Sequence, residues 1–473
     1  MMLAVSVATA VPCPAGDPPA IVRLVPPGGQ IGTAVEVTLE GKPGSEPLQA
    51  WSEQGELAID WNQQPDKATI KIPADAQPGI HWLRIYNPFG ATELLPFFVG
   101  TLPEIAEIEP NNQLAQAQPI VPSTVNGVLH KSGEVDMFAI AVEGDQTVTA
   151  TVQANRELGS PMDAVLELLD PNGTVIASND DDLGNDPRIE MTIPSGGLYH
   201  LRIFAFPAAP DSTIRLAGSS NYAYRLTVAI DGLPESDSTF AESPAPEAVE
   251  FTVPWSASGV IGQPAETDQF AFAGSSGQSL TIAIAARQHF SRLDPLAVLK
   301  TESGTVVKEF DDISGTDPDV SFETTLPADG RYVLEVKDRF GHGGQRYTYH
   351  ATVSASSPSY SAKMAANAVV LTADKALEIP ITIDRQHGFN ERILVIAAGL
   401  PSGVTAEPVI SEPEGDSSKQ VVLKIARQAT AAASSGPIQI VSKDESNQAI
   451  VPIISPRPNS KQPVNQIWLT VSP

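Results

Sequence analysis

Cysteine is almost missing from this sequence: Cys13 is the single one in 473 residues. That excludes an internal disulfide framework and any multi-cysteine metal site. Basic residues are also scarce, with 29 Lys and Arg against 56 Asp and Glu, a formal net charge of −27. Such a surface repels nucleic acid and anionic membranes, because phosphate binding needs a basic patch. Past the first dozen residues nothing approaches the roughly 18 uninterrupted apolar residues of a membrane-spanning helix. The histidines, at 81, 130, 200, 289, 342, 350 and 387, show no His-x-x-x-His or other zinc spacing. No Gly-x-Ser-x-Gly elbow, phosphate loop or dinucleotide fingerprint is present. Gly341-His-Gly-Gly344 therefore reads as a hairpin tip, and Gly415-Asp-Ser as part of an acidic loop without a strand–helix context. No transmembrane span, no nucleic-acid partner and no enzyme are the expectations.

Turn-forming residues and short alternating runs are plentiful. The 42 Pro and 35 Gly are spread along the chain, between runs such as Val35-Glu-Val-Thr-Leu39. That pattern belongs to many short strands and an all-β fold. The length exceeds what one hydrophobic core supports, so several domains are expected. Residues 1–18 read as a signal peptide, an apolar run closing on small residues near Cys13, although the usual basic start is missing. The acidic surplus suits the solubility of an exposed extracellular protein. Where carboxylates crowd together, it also suits ligation of a hard cation.

Residues 19–100 alternate as half-buried strands at Val35–Leu39, Ala68–Ile72 and His81–Tyr86. With the Ile72-Pro-Ala-Asp-Ala-x-Pro-Gly79 corner and the closing Phe97-Phe-Val-Gly100, they resemble the immunoglobulin-like TIG (IPT) modules. Residues 101–232 carry Glu107-x-Glu109-Pro-Asn111-Asn112, then Gly133-x-x-Asp136-x-Phe138 and Met162-Asp163-Ala-Val-Leu-Glu-Leu-Leu-Asp170-Pro-Asn-Gly173. Asn179-Asp180-Asp181-Asp182 and Gly196-Gly-Leu-Tyr199-x-Leu follow. Together these resemble the bacterial pre-peptidase C-terminal (PPC) domain, a jelly-roll-like β sandwich appended to secreted peptidases.

Asp136 and Asp163 lie among apolar strand residues, where an unpaired carboxylate is expensive to bury. They need backbone donors, a cationic partner or a metal. Clustered like charges in the Asn179–Asp182 loop repel unless they spread into solvent or gather around a cation. In the related collagen-binding domains of bacterial collagenases, calcium is held between an acidic linker and the sandwich loops. The resemblance implies Glu107, Glu109, Asn111 and Asn112 as the linker half of a Ca2+ site, and Asp136, Asp163, Asp180 and Asp181 as the sandwich half. The same residues also read as turn caps and a polar hairpin.

Residues 233–355 repeat the PPC pattern about 130 residues on. Asp268, Asp294, Asp311-Asp312, Asp317-Pro318 and Tyr332 follow Asp136, Asp163, Asp180-Asp181, Asp186-Pro187 and Tyr199. The linker of this copy, Glu235 to Glu247, lacks the Glu-Pro-Asn-Asn run. The final strands, Tyr222-Ala-Tyr224 and Tyr347-Thr-Tyr349, match one another, and their tyrosines read as packing residues. Residues 356–473, with strands such as Leu377–Ile383 and Ile467–Val471, look like another immunoglobulin-like module. The expectation is a secreted or cell-envelope, non-catalytic binding or scaffold protein with calcium-stabilised sandwiches, attaching to extracellular protein or polysaccharide. The alternative is an accessory region of a secreted peptidase or other hydrolase whose catalytic part is missing or on a partner.

Overall fold

In the computed structural model the described residues are 16–182, 184–208, 215–232, 250–287, 291–314, 317–445, 450–458 and 460–472. Most of the signal segment, with Cys13, and the linker at 233–249 lie outside them. The described residues contain strands and short 3-10 turns but no α-helix. Among the described residues no helix is long and apolar enough to cross a membrane.

The described residues form four successive units, each built on two facing sheets, the fourth with a further two-stranded sheet. In the first, strands Ala20–Val25, Ala34–Lys42, Lys67–Lys71 and Ala58–Trp61 form one sheet. Gly28–Gln30, Leu95–Gly100, Gly79–Asn87 and Gln49–Ser52 form the facing one. The alternation seen in the sequence places Val37 and Leu39 inward against Ile70, Leu83 and Phe97.

The second unit pairs two five-stranded sheets. One runs Glu104–Ala106, Ser123–Val128, Ala223–Ile230, Thr147–Gln153 and Arg188–Thr192. Its partner runs Gln118–Ile120, Asp136–Val142, Gly197–Pro207, Met162–Leu169 and Val175–Asn179. Phe138, Ile140, Met162, Ala164, Leu166, Leu201, Ile203, Tyr224 and Leu226 fill the space between them.

Strand order in the third unit repeats that of the second, except that no described strand stands where Glu104–Ala106 does. Glu250–Phe251, Thr267–Gly274, Gly330–Asp338, Pro295–Thr301 and Val306–Phe310 face Trp255–Val260, Thr348–Ala355, Ser279–Ala285 and Val320–Thr325. Shared details extend to side chains. The Tyr199 hydroxyl donates to the Ser195 carbonyl at 2.8 Å, and the Tyr332 hydroxyl to that of Ala328 at 2.7 Å. Asp186 accepts from the Ala154, Asn155 and Arg156 amides. In the repeat, Asp319 takes that role, accepting from the Ala286 and Arg287 amides. The Asp-Pro match between Asp186 and Asp317 in the sequence is therefore displaced by two residues in space, because the loop of the second copy is longer. Tyr224 and Tyr349 are buried in their cores.

The fourth unit, Ser359–Val471, buries Ile381, Leu423, Ile440 and Leu469 between its sheets. It meets the first unit along strands Ile467–Val471 and Ser434–Asp444. Trp468 packs edge-on against Tyr86 and Trp51, with ring centroids 4.8 and 5.8 Å apart. Buried Arg84 donates to Asn367 Oδ1 at 2.6 Å, and Arg457 forks onto Glu53 at 2.6 and 2.9 Å. Arg225 links the first two units, its guanidinium 4.6 Å from the Phe98 ring and paired with Glu104. Asp182, nearly inaccessible, receives the Arg346 fork and Arg292 of the third unit.

Candidate metal centre

The linker is threaded into the second sandwich before its carboxylates are aimed. Glu104–Ala106 pairs parallel with Ser123–Val128, and the Glu107 amide continues to the Asn126 carbonyl at 3.0 Å. Gln118 grips the next residues, accepting from the Ile108 amide at 2.8 Å and donating to the Ala106 carbonyl at 3.1 Å. The Met137 amide donates to the Asn111 carbonyl at 3.0 Å. Asn111 is thereby fixed beside the start of strand Asp136–Val142.

These backbone ties gather Glu107, Glu109 and Asp136, whose oxygens lie within 4.8 Å of one another. Asp136 and Asn111 are fully buried. Asn111 Nδ2 donates to Glu107 Oε1 at 2.9 Å, and the Asn111 amide to Glu109 Oε2 at 3.1 Å. Asn112 Nδ2 reaches Glu109 Oε2 at 3.3 Å. The Val128 amide donates to the second Glu107 oxygen at 3.0 Å. The Tyr224 hydroxyl lies 2.7 Å from Asp136 Oδ2 and 3.0 Å from Glu107 Oε1. One phenolic hydrogen cannot serve two ionised carboxylates at once. A second proton or a cation has to sit among them.

Burial first, then the charge of Glu107 and its hydrogen bond, push Asp136 up to about 9, against the Tyr224 hydrogen bond and with a further push from Glu109. Asp136 Oδ1 and Asn111 Oδ1 are buried without a hydrogen-bond partner. Each orphaned oxygen costs on the order of 1–3 kcal/mol. Two orphaned oxygens beside two further carboxylates form an all-oxygen donor set, which fits a hard cation that takes six to eight oxygens at about 2.3–2.6 Å.

Asp163, Asp180 and Asp181 do not join this cluster, and the pleat is the reason. Asp136 shares the inward face with Phe138 and Ile140, and it sits opposite the core residue Ile203. Asp163 falls between the inward-facing Met162 and Ala164, and it sits opposite Phe206 on the outer face. Successive side chains alternate faces, so these two aspartates lie on opposite sides of one sheet. Strand Gly197–Pro207 also separates them, and the register puts their Cα atoms about 14 Å apart. The eight residues of the single expected site are thus five around Asp136 and a separate outer triad. Asp163 is pushed up by burial and then by Asp181 and Asp180, while Asp181 is pushed up by burial and Asp180.

Tyr224 belongs to the centre and has no part in the sequence-based set. Gly127 belongs too, since a Cβ there would lie 2.4 Å from the Tyr224 hydroxyl and 2.9 Å from Glu107 Oε2. A recurring signal was available: Gly259, Tyr349 and Asp268 repeat the arrangement in the third unit, with the Tyr349 hydroxyl donating to Asp268.

An all-β chain with an acidic linker folded onto a sandwich is the class these observations define. Residues 134–205 match the bacterial pre-peptidase C-terminal domain family, so the chain contains one such domain. Among curated proteins, a probable subtilase-type serine protease of Deinococcus radiodurans is 32% identical over 98 residues. That match takes in 20% of this chain and 14% of the relative, so the chain spans a small part of the relative's length. Among solved structures, the pre-peptidase C-terminal domain of a Bacillus anthracis collagenase is 19% identical, covering 22% of this chain and 91% of that one, with a TM-score of 0.18. The M60 catalytic domain with two CBM51 domains from Clostridium perfringens ZmpB is 8% identical, covering 70% and 46%, with a TM-score of 0.16.

Proposed function

We propose that this chain is a non-catalytic, extracellular accessory region that serves a secreted peptidase, with a Ca2+ ion fastening the linker to the second sandwich. Glu107, Glu109, Asp136 and the side-chain oxygen of Asn111 would hold the ion, with Asn112 at its margin. The observation that carries the ion is the pair of orphaned buried oxygens, Asp136 Oδ1 and Asn111 Oδ1, beside two more carboxylates. The peptidase association is supported by the PPC match and by the subtilase-type relative. In this reading the third unit is a second PPC sandwich, and the outer units are TIG-like and immunoglobulin-like spacers. The ion itself would supply positive charge and fixed geometry, locking the linker angle.

Attachment to extracellular protein or polysaccharide is the companion role of such a region. The test is co-sedimentation of the full chain with insoluble collagen and with cell-wall polysaccharide, in CaCl2 and in EDTA, beside hydrolysis assays on casein and ester substrates. Calcium-dependent retention without turnover is expected. Turnover by the purified chain refutes the non-catalytic assignment, and a melting temperature indifferent to calcium refutes the ion.

A further inference from the structure

The duplication supplies its own comparison for the outer triad. In the third unit Asp294, Asp311 and Asp312 stand where Asp163, Asp180 and Asp181 stand in the second. Ladder positions fix the equivalence: Leu166 pairs with Asn179 and Ile203, as Ala297 pairs with Phe310 and Val336. Continuing the same ladders sets Phe206 of the second unit against Arg339 of the third, whose amide donates to the Asp294 carbonyl at 2.8 Å. Arg339 turns its guanidinium into the acids, with Nη1 2.7 Å from Asp311 and 3.2 Å from Asp312. Arg287 and Arg339 oppose the upward push that burial and Asp312 exert on Asp294.

The second unit has the acids without the guanidinium. Among the described residues no cationic side chain is paired with Asp163, Asp180 or Asp181, and Asp180 and Asp181 are exposed. Phe206 is half-exposed on the same outer face, edge-on to Phe204 at 6.1 Å. The stretches outside the described residues contain no arginine that could fill the place. The three acids are also not drawn together as a metal-sized group, in contrast to Glu107, Glu109 and Asp136. A guanidinium, with separate N–H donors in a fork, bridges carboxylates at this wider spacing and stacks on an aromatic ring.

We propose that Asp163, Asp180, Asp181 and Phe206 form a socket for an arginine side chain presented by a partner polypeptide, the place that Arg339 fills within the chain in the duplicate unit. The socket lies on the opposite sheet face from the linker cluster and is independent of it. Charge complementarity brings the arginine in, and the Phe206 ring favours guanidinium over ammonium.

The test is titration of fluorescently labelled tetra-arginine and tetralysine into the full chain, read by anisotropy at fixed ionic strength. Wild type is expected to prefer tetra-arginine. The double variant D180N/D181N and the self-filling variant Phe206→Arg should each weaken tetra-arginine binding about tenfold. D311N/D312N removes the same charge from the filled copy and should change binding less than about twofold. Arg339→Phe should add a second binding event, a gain that misfolding cannot produce. Equal losses in the two double variants, or tetralysine binding as tightly as tetra-arginine, overturn the proposal in favour of bulk charge attraction. Displacement of tetra-arginine by CaCl2 from wild type but not from D180N/D181N overturns it in favour of a metal site.

Discussion

Replacing Asp136 with asparagine separates the proton from the ion at the linker cluster. Without a cation, the folded chain holds the Asp136 proton up to about 9. An unfolded aspartate releases its proton near 3.9. Between these values the native state binds one more proton than the unfolded state. Stability from this group is therefore complete below about pH 4 and falls as pH rises, by about 1.4 kcal/mol per unit, until about pH 9. From pH 5 to 8 the slope amounts to about 4 kcal/mol, and relaxation around the charge brings the expected loss to about 2–4 kcal/mol. The substituted amide keeps the shape and does not titrate, so in EDTA the variant should gain on wild type by that amount between pH 5 and 8. For a sandwich of this size the gain corresponds to roughly 10 °C in Tm. Saturating CaCl2 should offset most of that gain at pH 8, since a ligand at 100 times its Kd adds about 2.7 kcal/mol to the form that binds it. Scanning calorimetry of the full chain at both pH values, in EDTA and in CaCl2, reads all four conditions. A Tm difference between variant and wild type that stays constant from pH 5 to 8 in EDTA would falsify the idea that the buried carboxyl keeps its proton.

Three further outcomes follow from the same geometry. Gly127→Ala drives a methyl into the Tyr224 ring and should cost about 1–3 kcal/mol in a denaturant melt, with loss of the calcium response; an unchanged midpoint contradicts the close approach. Tyr224→Phe removes the hydroxyl shared by Asp136 and Glu107, so calcium affinity should drop while the fold persists, which isothermal titration would measure. Asp182→Ala leaves the Arg346 fork unpaired and should cost about 1–3 kcal/mol, separating the unfolding of the second and third units into distinct calorimetric transitions.

Much of the fold is written in two-residue alternation. Val37 and Leu39, or Leu166 and Leu168, declare their inward faces directly, and short strands between Pro and Gly turns leave little choice but layered sheets. The linker half of the candidate centre was legible because its residues are adjacent in sequence. Of the sandwich half only Asp136 falls in the cluster, because proximity in a sheet depends on parity. Phe138 and Ile140 mark Asp136 as inward, while Met162 and Ala164 mark Asp163 as outward. Reading faces before counting acids separates the two groups from sequence alone. The Asp182 contact could not be read in that way. Its partners Arg292 and Arg346 belong to another unit, and only docking brings them to the loop. Asp317 misled for a different reason, since a matching dipeptide is a weaker guide than the amides a carboxylate caps, and those identify Asp319.

The seam between the first and fourth units has a mechanical consequence. Tension applied across those two units loads the edge-on Trp468 contacts and the Arg84 and Arg457 contacts before it reaches any sandwich core. Side-chain contacts part at lower force than sheets sheared along their ladders. Under such a load the contacts of this seam would part, like an opened clasp, before any β sandwich unfolds.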